Sequence, residues 1–466
     1  MAAAEDSSRR FVLVAITLAS FLIPLMSSSI NVALPTIGIE LRMDAVLLGW
    51  VATSYLIAAA VFLVPMGKAA DIYGRKRIFI YGTVVYTAAS LACGLADSGM
   101  MLIGFRVMQG IGGAMIFGTG VAILTSVFPP GERGRVLGIN VAAVYVGLAL
   151  GPFLGGILTQ YLGWRSVLLA NVPAGLVVLG ITTTRLRGEW AVARGEKFDL
   201  VGSLIYGGML VSIMYGFTQL PDALGIWMVL AGIAALAAFI FWELRARVPV
   251  LDIGLFRSNA VFAFSNLAAL INYGATFAVG FLLSLYLQYV KGFDPQFAGI
   301  VLVSQPVVQA VFSPFAGGLS DRIEPRTLAS TGMGLSVVGL VIFVFLTEDS
   351  SLAYVIGGLL VLGFGFALFS APNTNAIMGS VENRFYGVAS ATLATMRQVG
   401  MTFSMGISMM LFALFVGRVE ITPEVHGAFL RSVRTAFIIF ACLSFAGVFA
   451  SLARGKVRPG AGKEGV

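Results

Sequence analysis

Fourteen stretches of this chain are long and apolar enough to cross a bilayer. They constrain the fold more than any other feature. A helix needs about 20 apolar residues to span the hydrocarbon core. The stretches lie near 11–34, 47–66, 78–96, 100–128, 137–161, 166–184, 200–218, 225–243, 260–289, 296–316, 327–346, 353–377, 387–416 and 433–452. Of the 466 residues, 58% are hydrophobic and 11% are charged, against about 25% charged in an ordinary soluble domain. The chain therefore reads as an all-α polytopic membrane protein with the lipid bilayer as its solvent. No connection between stretches is long enough for a folded soluble domain, so function is expected within the membrane.

An even number of spans puts both termini on one side. Lys and Arg collect on the cytoplasmic side. With the termini inside, 22 of the 30 Lys and Arg flank the inner ends, beginning with Arg9 and Arg10. Six lie outside, and Arg106 and Arg397 fall within spans. The asymmetry predicts an integral multi-pass protein of the cytoplasmic membrane with both termini cytoplasmic. It also accounts for the net charge of +8 without nucleic acid as a partner. Cys93 and Cys442 both lie in apolar spans, so no disulfide framework is expected. The single histidine, His426, sits in a polar loop. One histidine without a cysteine cluster makes no metal site, and no cofactor is predicted.

The chain repeats itself. "GKAADIYGRKR" (Gly67–Arg77) follows the second span and "GGLSDRIEPR" (Gly317–Arg326) the tenth. Asp71 and Asp321 stand 250 residues apart; Gly138 and Gly387, like Gly151 and Gly400, stand 249 apart. A near-constant offset marks a duplication. Spans 1–6 match spans 9–14 with the same orientation, and spans 7 and 8 join them. The expected units are 1–187, 188–257 and 258–466. Two parallel six-span halves are a transporter architecture, with a substrate site between them near mid-membrane.

Four motifs then make the chain resemble the major facilitator superfamily, and within it the fourteen-span drug:proton antiporters of the multidrug efflux type. The loop Gly67-x-x-Ala70-Asp71-x-x-Gly74-Arg75-Lys76-Arg77 matches the superfamily's inner-loop motif. "RVMQGIGGA" in span 4 matches its Arg-x-x-Gln-Gly pattern at Arg106, Gln109 and Gly110. Span 5 carries the antiporter motif, with Gly138, Gly147, Gly151, Pro152, Gly155 and Gly156. "INVALP" (Ile30–Pro35) matches the end of span 1 in the fourteen-span group. The resemblance implies a major-facilitator fold of two parallel six-helix halves plus two linking helices.

Each motif also has a physical reading. Asp71 near a helix end can pair with basic residues and hold a gate, or serve only in a topology-setting charged loop. Gly67, Asp71, Gly74, Arg75 and Asp321 are the gating candidates. Gly147, Gly151 and Gly155 recur every fourth residue and form a bare stripe for close helix approach. The resemblance implies that this stripe packs on the other half and seals against leak; tight static packing is the alternative. Arg106 and Arg397 are costly in lipid, on the order of 3 kcal/mol each, so both should face the bundle interior. The family motif adds Arg106, Gln109 and Asp71 as coupling candidates. For Arg397, backbone bonding and substrate contact stand as equal readings.

All 22 acidic residues fall in loops or at span ends. Many relatives of the resembled family carry an Asp in span 1, five residues before Asn-Val-Ala-Leu-Pro; Met26 stands there here. That puts coupling through span 1 in doubt and leaves Asp44, Asp71, Glu132 and Asp321 as near-interfacial proton carriers. The run Ser27, Ser28 and Asn31 is expected to line a cavity, or else to bond its own helix. Tyr55, Arg106, Asn272, Gln305, Gln309, Asn373 and Arg397 complete the substrate-binding candidates. The expected function is proton-coupled export of amphipathic small molecules by alternating access, by a chain that works as a monomer. The alternative is export of anionic or neutral metabolites or lipid-like molecules without a span-embedded carboxylate. No convergent set of nucleophiles or acids points to an enzyme.

Overall fold

The computed structural model describes residues 2–186, 188–246, 253–320, 322–382 and 386–455. Asp321, Arg187, Arg384 and the residues from Lys456 onward lie outside the described residues. Among the described residues, fourteen helices are long and apolar enough to cross a membrane, and no strand is present. They are α1 (Arg9–Glu40), α2 (Ala45–Tyr73), α3 (Arg75–Gly94), α4 (Gly99–Val127), α5 (Arg135–Leu162), α6 (Trp164–Arg185) and α7 (Leu200–Gln219). The remainder are α8 (Ala223–Glu243), α9 (Ala260–Val290), α10 (Pro295–Ser320), α11 (Pro325–Val344), α12 (Leu352–Gly379), α13 (Val388–Phe415) and α14 (Pro423–Ala453). In hydrocarbon every backbone N–H and C=O needs an internal partner, which leaves the helix as the structure these apolar stretches can take.

Several helices outrun the stretches that predicted them, because caps and glycines end a helix, not a fall in hydropathy. Asp44, Asp199, Asn259, Asp294 and Ser351 each accept a hydrogen bond from the backbone N–H three residues on and so start α2, α7, α9, α10 and α12. α2 runs on to Tyr73 and stops at Gly74, whose φ of 118° favours glycine. Gly67, Lys68 and Asp71 therefore ride on its last turns, not in a loop. α14 starts ten residues earlier than its apolar stretch and takes in Arg431.

The repeat is visible in the packing. α1 lies on α5 and α6, α2 on α4, and α3 on α4 and α6; α9 lies on α13 and α14, α10 on α12, and α11 on α12 and α14. Glycines make equivalent contacts in both halves. A Cβ on Gly110 would meet the Tyr55 carbonyl at 2.5 Å, and one on Gly363 would meet the Gln305 carbonyl at 2.5 Å. Tyr55 and Gln305 are 250 residues apart in sequence.

The linking pair α7 and α8 pack on each other. α7 also fills the flank between α2 and α13. Tyr206 donates to the Ala60 carbonyl at 3.1 Å, Tyr215 stacks near Trp50, and Phe217 meets Phe403 edge-on.

Candidate functional site

Among the described residues, the two halves share a set of contacts at the end of the bundle opposite the termini. There Ser284 of α9 donates to the Asn31 carbonyl at 2.7 Å. Gln288 donates to the Val32 carbonyl at 2.9 Å, and Tyr289 to the Pro35 carbonyl at 3.3 Å. Tyr161 of α5 donates to Gln296 of α10 at 3.0 Å. Thr53 of α2 reaches the Met409 sulfur of α13 at 3.1 Å. Pro152 and Gly156 of α5 press against Gly299 and Pro295 of α10, with no room for a Cβ on either glycine. Deeper in, Gln398 donates to the Leu56 carbonyl at 3.1 Å, and Tyr145 shares a hydrogen bond with Ser370 at 2.9 Å.

Nearer the terminal end, among the described residues, the bonds around the motif go to the first half and to the segment that follows α6. Arg75 donates to Asp71 at 2.8 Å, to Ser126 at 2.9 Å and to the Ala122 carbonyl at 3.2 Å. This ties α2, α3 and α4 together. The Asp71 carbonyl accepts from the Ala193 N–H at 2.9 Å. Lys68 pairs with Glu196 at 2.7 Å, and Glu189 accepts from the Lys76 N–H at 2.9 Å. The segment after α6 is thereby laced to the motif. Gly67 sits beside Gly118, where a Cβ would lie 3.9 Å from the Gly118 carbonyl.

The serine run that interrupts α1 faces α5. Ser28, half-buried, donates to its own helix at Pro24 (2.8 Å) and Leu25 (3.2 Å). Ser29 donates to the Gly151 carbonyl at 2.8 Å. Gly147, Gly151 and Gly155 lie on Phe21, Ser28 and Ser29. The glycine stripe therefore packs on α1 of its own half, and the implied packing on the other half is corrected accordingly. The inter-half contact belongs to the neighbouring face, at Pro152 and Gly156. Small residues let two backbones approach in both places. Ser27 stays half-buried, and the Asn31 amide nitrogen points toward Gly280 of α9. Gly138 has open space around it.

Arg106 is 1% exposed and wholly inside the first half. Its Nε donates to the Val51 carbonyl at 2.9 Å and its Nη1 to Gln109 at 2.5 Å. Gln109 passes the chain on to Ser90 at 2.7 Å. The guanidinium lies 4.6 Å from the Tyr55 ring centroid. Arg106, Gln109 and Tyr55 thus form one network tying α2, α3 and α4, away from the seam.

Arg397 is placed differently. It is half-buried, nine residues into α13, and its Nη2 donates to Thr374 of α12 at 2.8 Å. Its guanidinium lies 5.5 Å from the Tyr273 ring of α9. One turn before Thr374, Ser370 meets Tyr145 across the seam. Asn373 faces the other way, donating to the Ser265 carbonyl at 3.1 Å and accepting from Arg454 at 2.9 Å. Gln305 is half-buried and Gln309 buried on α10. Asn272 is fully buried, with neither amide atom partnered.

Sequence reading singled out Arg397 but missed Tyr145, Tyr273, Ser370 and Thr374. A tyrosine inside the glycine-rich span 5, and hydroxyls four residues apart in span 12, were the available signals. Among the described residues, no three His, Cys, Asp or Glu side chains gather as a metal site would require.

Two repeated six-helix halves, bonded together over one end and sharing a polar cluster at mid-depth, define a membrane transporter. The chain belongs to the Major Facilitator Superfamily, whose family model matches residues 16–263 and 265–465. It is 32% identical over 404 residues to the multidrug resistance protein Stp of Mycobacterium tuberculosis, covering 85% of this chain and 74% of that one. It is 33% identical over 413 residues to the cephamycin export protein CmcT of Amycolatopsis lactamdurans, covering 86% and 85%. Its fold superposes with a TM-score of 0.67, at 18% identity over 96% and 97% of the two chains, on a bacterial homologue of the human lysosomal transporter Spinster, solved inward-facing and unoccupied. Family and fold are those of transporters, not enzymes.

Proposed function

We propose that the chain is a secondary active exporter of amphipathic small molecules, working by alternating access. The units are residues 1–187 and 258–466, rocking about the seam, with 188–257 as the link. Both termini face the cytoplasm, and one chain suffices. The observation that carries this reading is the uneven seam. Among the described residues its inter-half hydrogen bonds gather at mid-depth and at the end away from the termini, while the motif around Asp71 and Arg75 bonds to its own half and to the segment after α6. Relatives named for multidrug resistance and export support the direction of transport.

Proton antiport is the proposed drive. With no acidic residue deep in a span, the proton is exchanged at Asp44, Asp71, Glu132 or Asp321, or travels on the substrate itself. Asp44 caps α2, accepting from Leu47 N–H at 2.7 Å, and Glu132 lies exposed before α5. The same lack of an embedded acid favours a second reading, export of anionic or neutral amphipaths without such coupling.

The test uses purified protein in liposomes and three dansyl probes sharing one fluorophore: anionic dansylglycine, neutral dansylglycinamide and cationic dansylcadaverine. Gradient-driven movement of any probe supports the exporter. Movement that ignores an imposed pH gradient removes proton antiport and leaves the second reading. If no probe moves above protein-free liposomes, the exporter reading fails.

A further inference from the structure

Three arginines are drawn into the helix bundle, and their hydrogen bonds separate them. Arg106 is 1% exposed, with Nε on the Val51 carbonyl and Nη1 on Gln109. Arg454, also 1% exposed, closes the end of α14 on Asn373 and Ser451. Arg397 is half-buried, and its buried Nε meets no acceptor. It lies eleven residues into the helix that begins at Tyr386, about 16 Å from that helix end, on the side that carries the termini.

A guanidinium stays charged under any physiological condition. Among the described residues, no carboxylate pairs with this one. The acidic residues all lie at span ends or in loops. An unfilled donor on an uncompensated cation, in a medium of low dielectric, is an attraction waiting for an anion.

The neighbours suit that ligand. Thr374 holds Nη2 at 2.8 Å and leaves Nε directed elsewhere. The Tyr273 ring, 5.5 Å away, supports the guanidinium. Ser370 and Tyr145 share one hydrogen bond at 2.9 Å in which either oxygen can donate. When Ser370 donates, the Tyr145 proton is free for a ligand. Arg397 stands on the second half and Tyr145 on the first, so a ligand held by both bridges the seam.

We propose that Arg397, with Thr374, Ser370, Tyr145 and Tyr273, forms an anion subsite that takes the carboxylate, or a comparable oxyanion, of an amphipathic substrate. The proposal rests on the exporter reading and narrows its substrate class. The apolar body of the substrate lies in the seam, and the subsite selects against cations.

The test compares dansylglycine with its neutral isostere dansylglycinamide in liposomes, for the wild type and for R397Q, R397K and Y145F. The wild type is expected to transport dansylglycine with a KM about ten-fold below that of the amide. R397Q should collapse that acid-to-amide ratio toward one. R397K keeps the charge and should retain part of the preference; Y145F should lower it by a smaller factor. Binding of both probes to each variant in nanodiscs, read by dansyl fluorescence, gives the same ratio for a variant that no longer transports. The subsite is overturned, with the exporter intact, if dansylglycinamide or dansylcadaverine moves and dansylglycine does not. It is also overturned if R397Q leaves the ratio unchanged. If none of the three probes moves, the exporter reading and the subsite fall together.

Discussion

The side-chain amide of Asn171 on α6 donates to the Met26 sulfur on α1 at 3.0 Å, where Met26 is 2% exposed. The position at which the resemblance led us to look for an aspartate is therefore a packed contact inside the first half. A thioether is a weak acceptor that carries no proton. Met26→Leu is expected to cost less than about 1.5 kcal/mol, as volume-conserving core exchanges do. Its response to a pH gradient in liposomes should match the wild type. A variant that transports but has lost gradient dependence would return α1 to the coupling mechanism.

Arg106 is predicted to act through stability before function. Arg106→Leu strands the buried Gln109 oxygen and leaves the Val51 carbonyl with its helical partner alone. Stranding buried groups costs about 1–3 kcal/mol each. Thermal unfolding in detergent should show a clear loss, and Arg106→Lys only partial recovery, since one ammonium cannot copy the fork. A fully stable Arg106→Leu with abolished transport would assign Arg106 to the pathway instead.

The glycines of the antiporter motif are not equivalent. A Cβ on Gly155 would sit 2.7 Å from Ser29 Cα, whereas Gly138 has nothing within 4 Å. Gly155→Ala should therefore destabilise by about 1–3 kcal/mol, as overpacking does, and Gly138→Ala should not. Melting curves of the two single variants decide the matter; equal effects would mean that the motif works through something other than helix approach.

The end opposite the termini must part for a substrate to leave there. Tyr161→Cys paired with Gln296→Cys, in a Cys442→Ser background, offers a site for a short bifunctional thiol reagent. Cys442 is exposed and Cys93 buried, so only the former needs removal. Cross-linking is expected to stop transport of the dansyl probes, and reductant to restore it. Unimpaired transport by the cross-linked protein would show that α5 and α10 do not separate during the cycle.

Much of this was legible in the chain. The spans, their number and the repeat follow from apolar length and from equal offsets such as Asp71 to Asp321, because lipid leaves the backbone few choices. Partners were harder. The stripe of Gly147, Gly151 and Gly155 announces close packing but does not say on which helix, since a bare face suits any neighbour. Ser28, Ser29 and Asn31 look alike in sequence and differ in place: Ser28 bonds backwards, Ser29 holds Gly151, and Asn31 turns to α9. Arg106 and Arg397 are equally improbable in lipid. Only the neighbours, Gln109 and Val51 for one and an unfilled Nε for the other, separate a strut from an open site.

The flank helix α7 adds a mechanical asymmetry. It is joined to α2 by the Tyr206 hydrogen bond and the Trp50–Tyr215 ring pair, and it meets α13 through Phe217 on Phe403 and the bare backbone at Gly406. One contact is a fastening; the other is a smooth bearing of rings on glycine, with Arg418 on Gln219 as its outermost latch. Packed on both α2 and α13, α7 stands across that flank of the seam. In the proposed rocking cycle the linking pair would cover that flank against lipid.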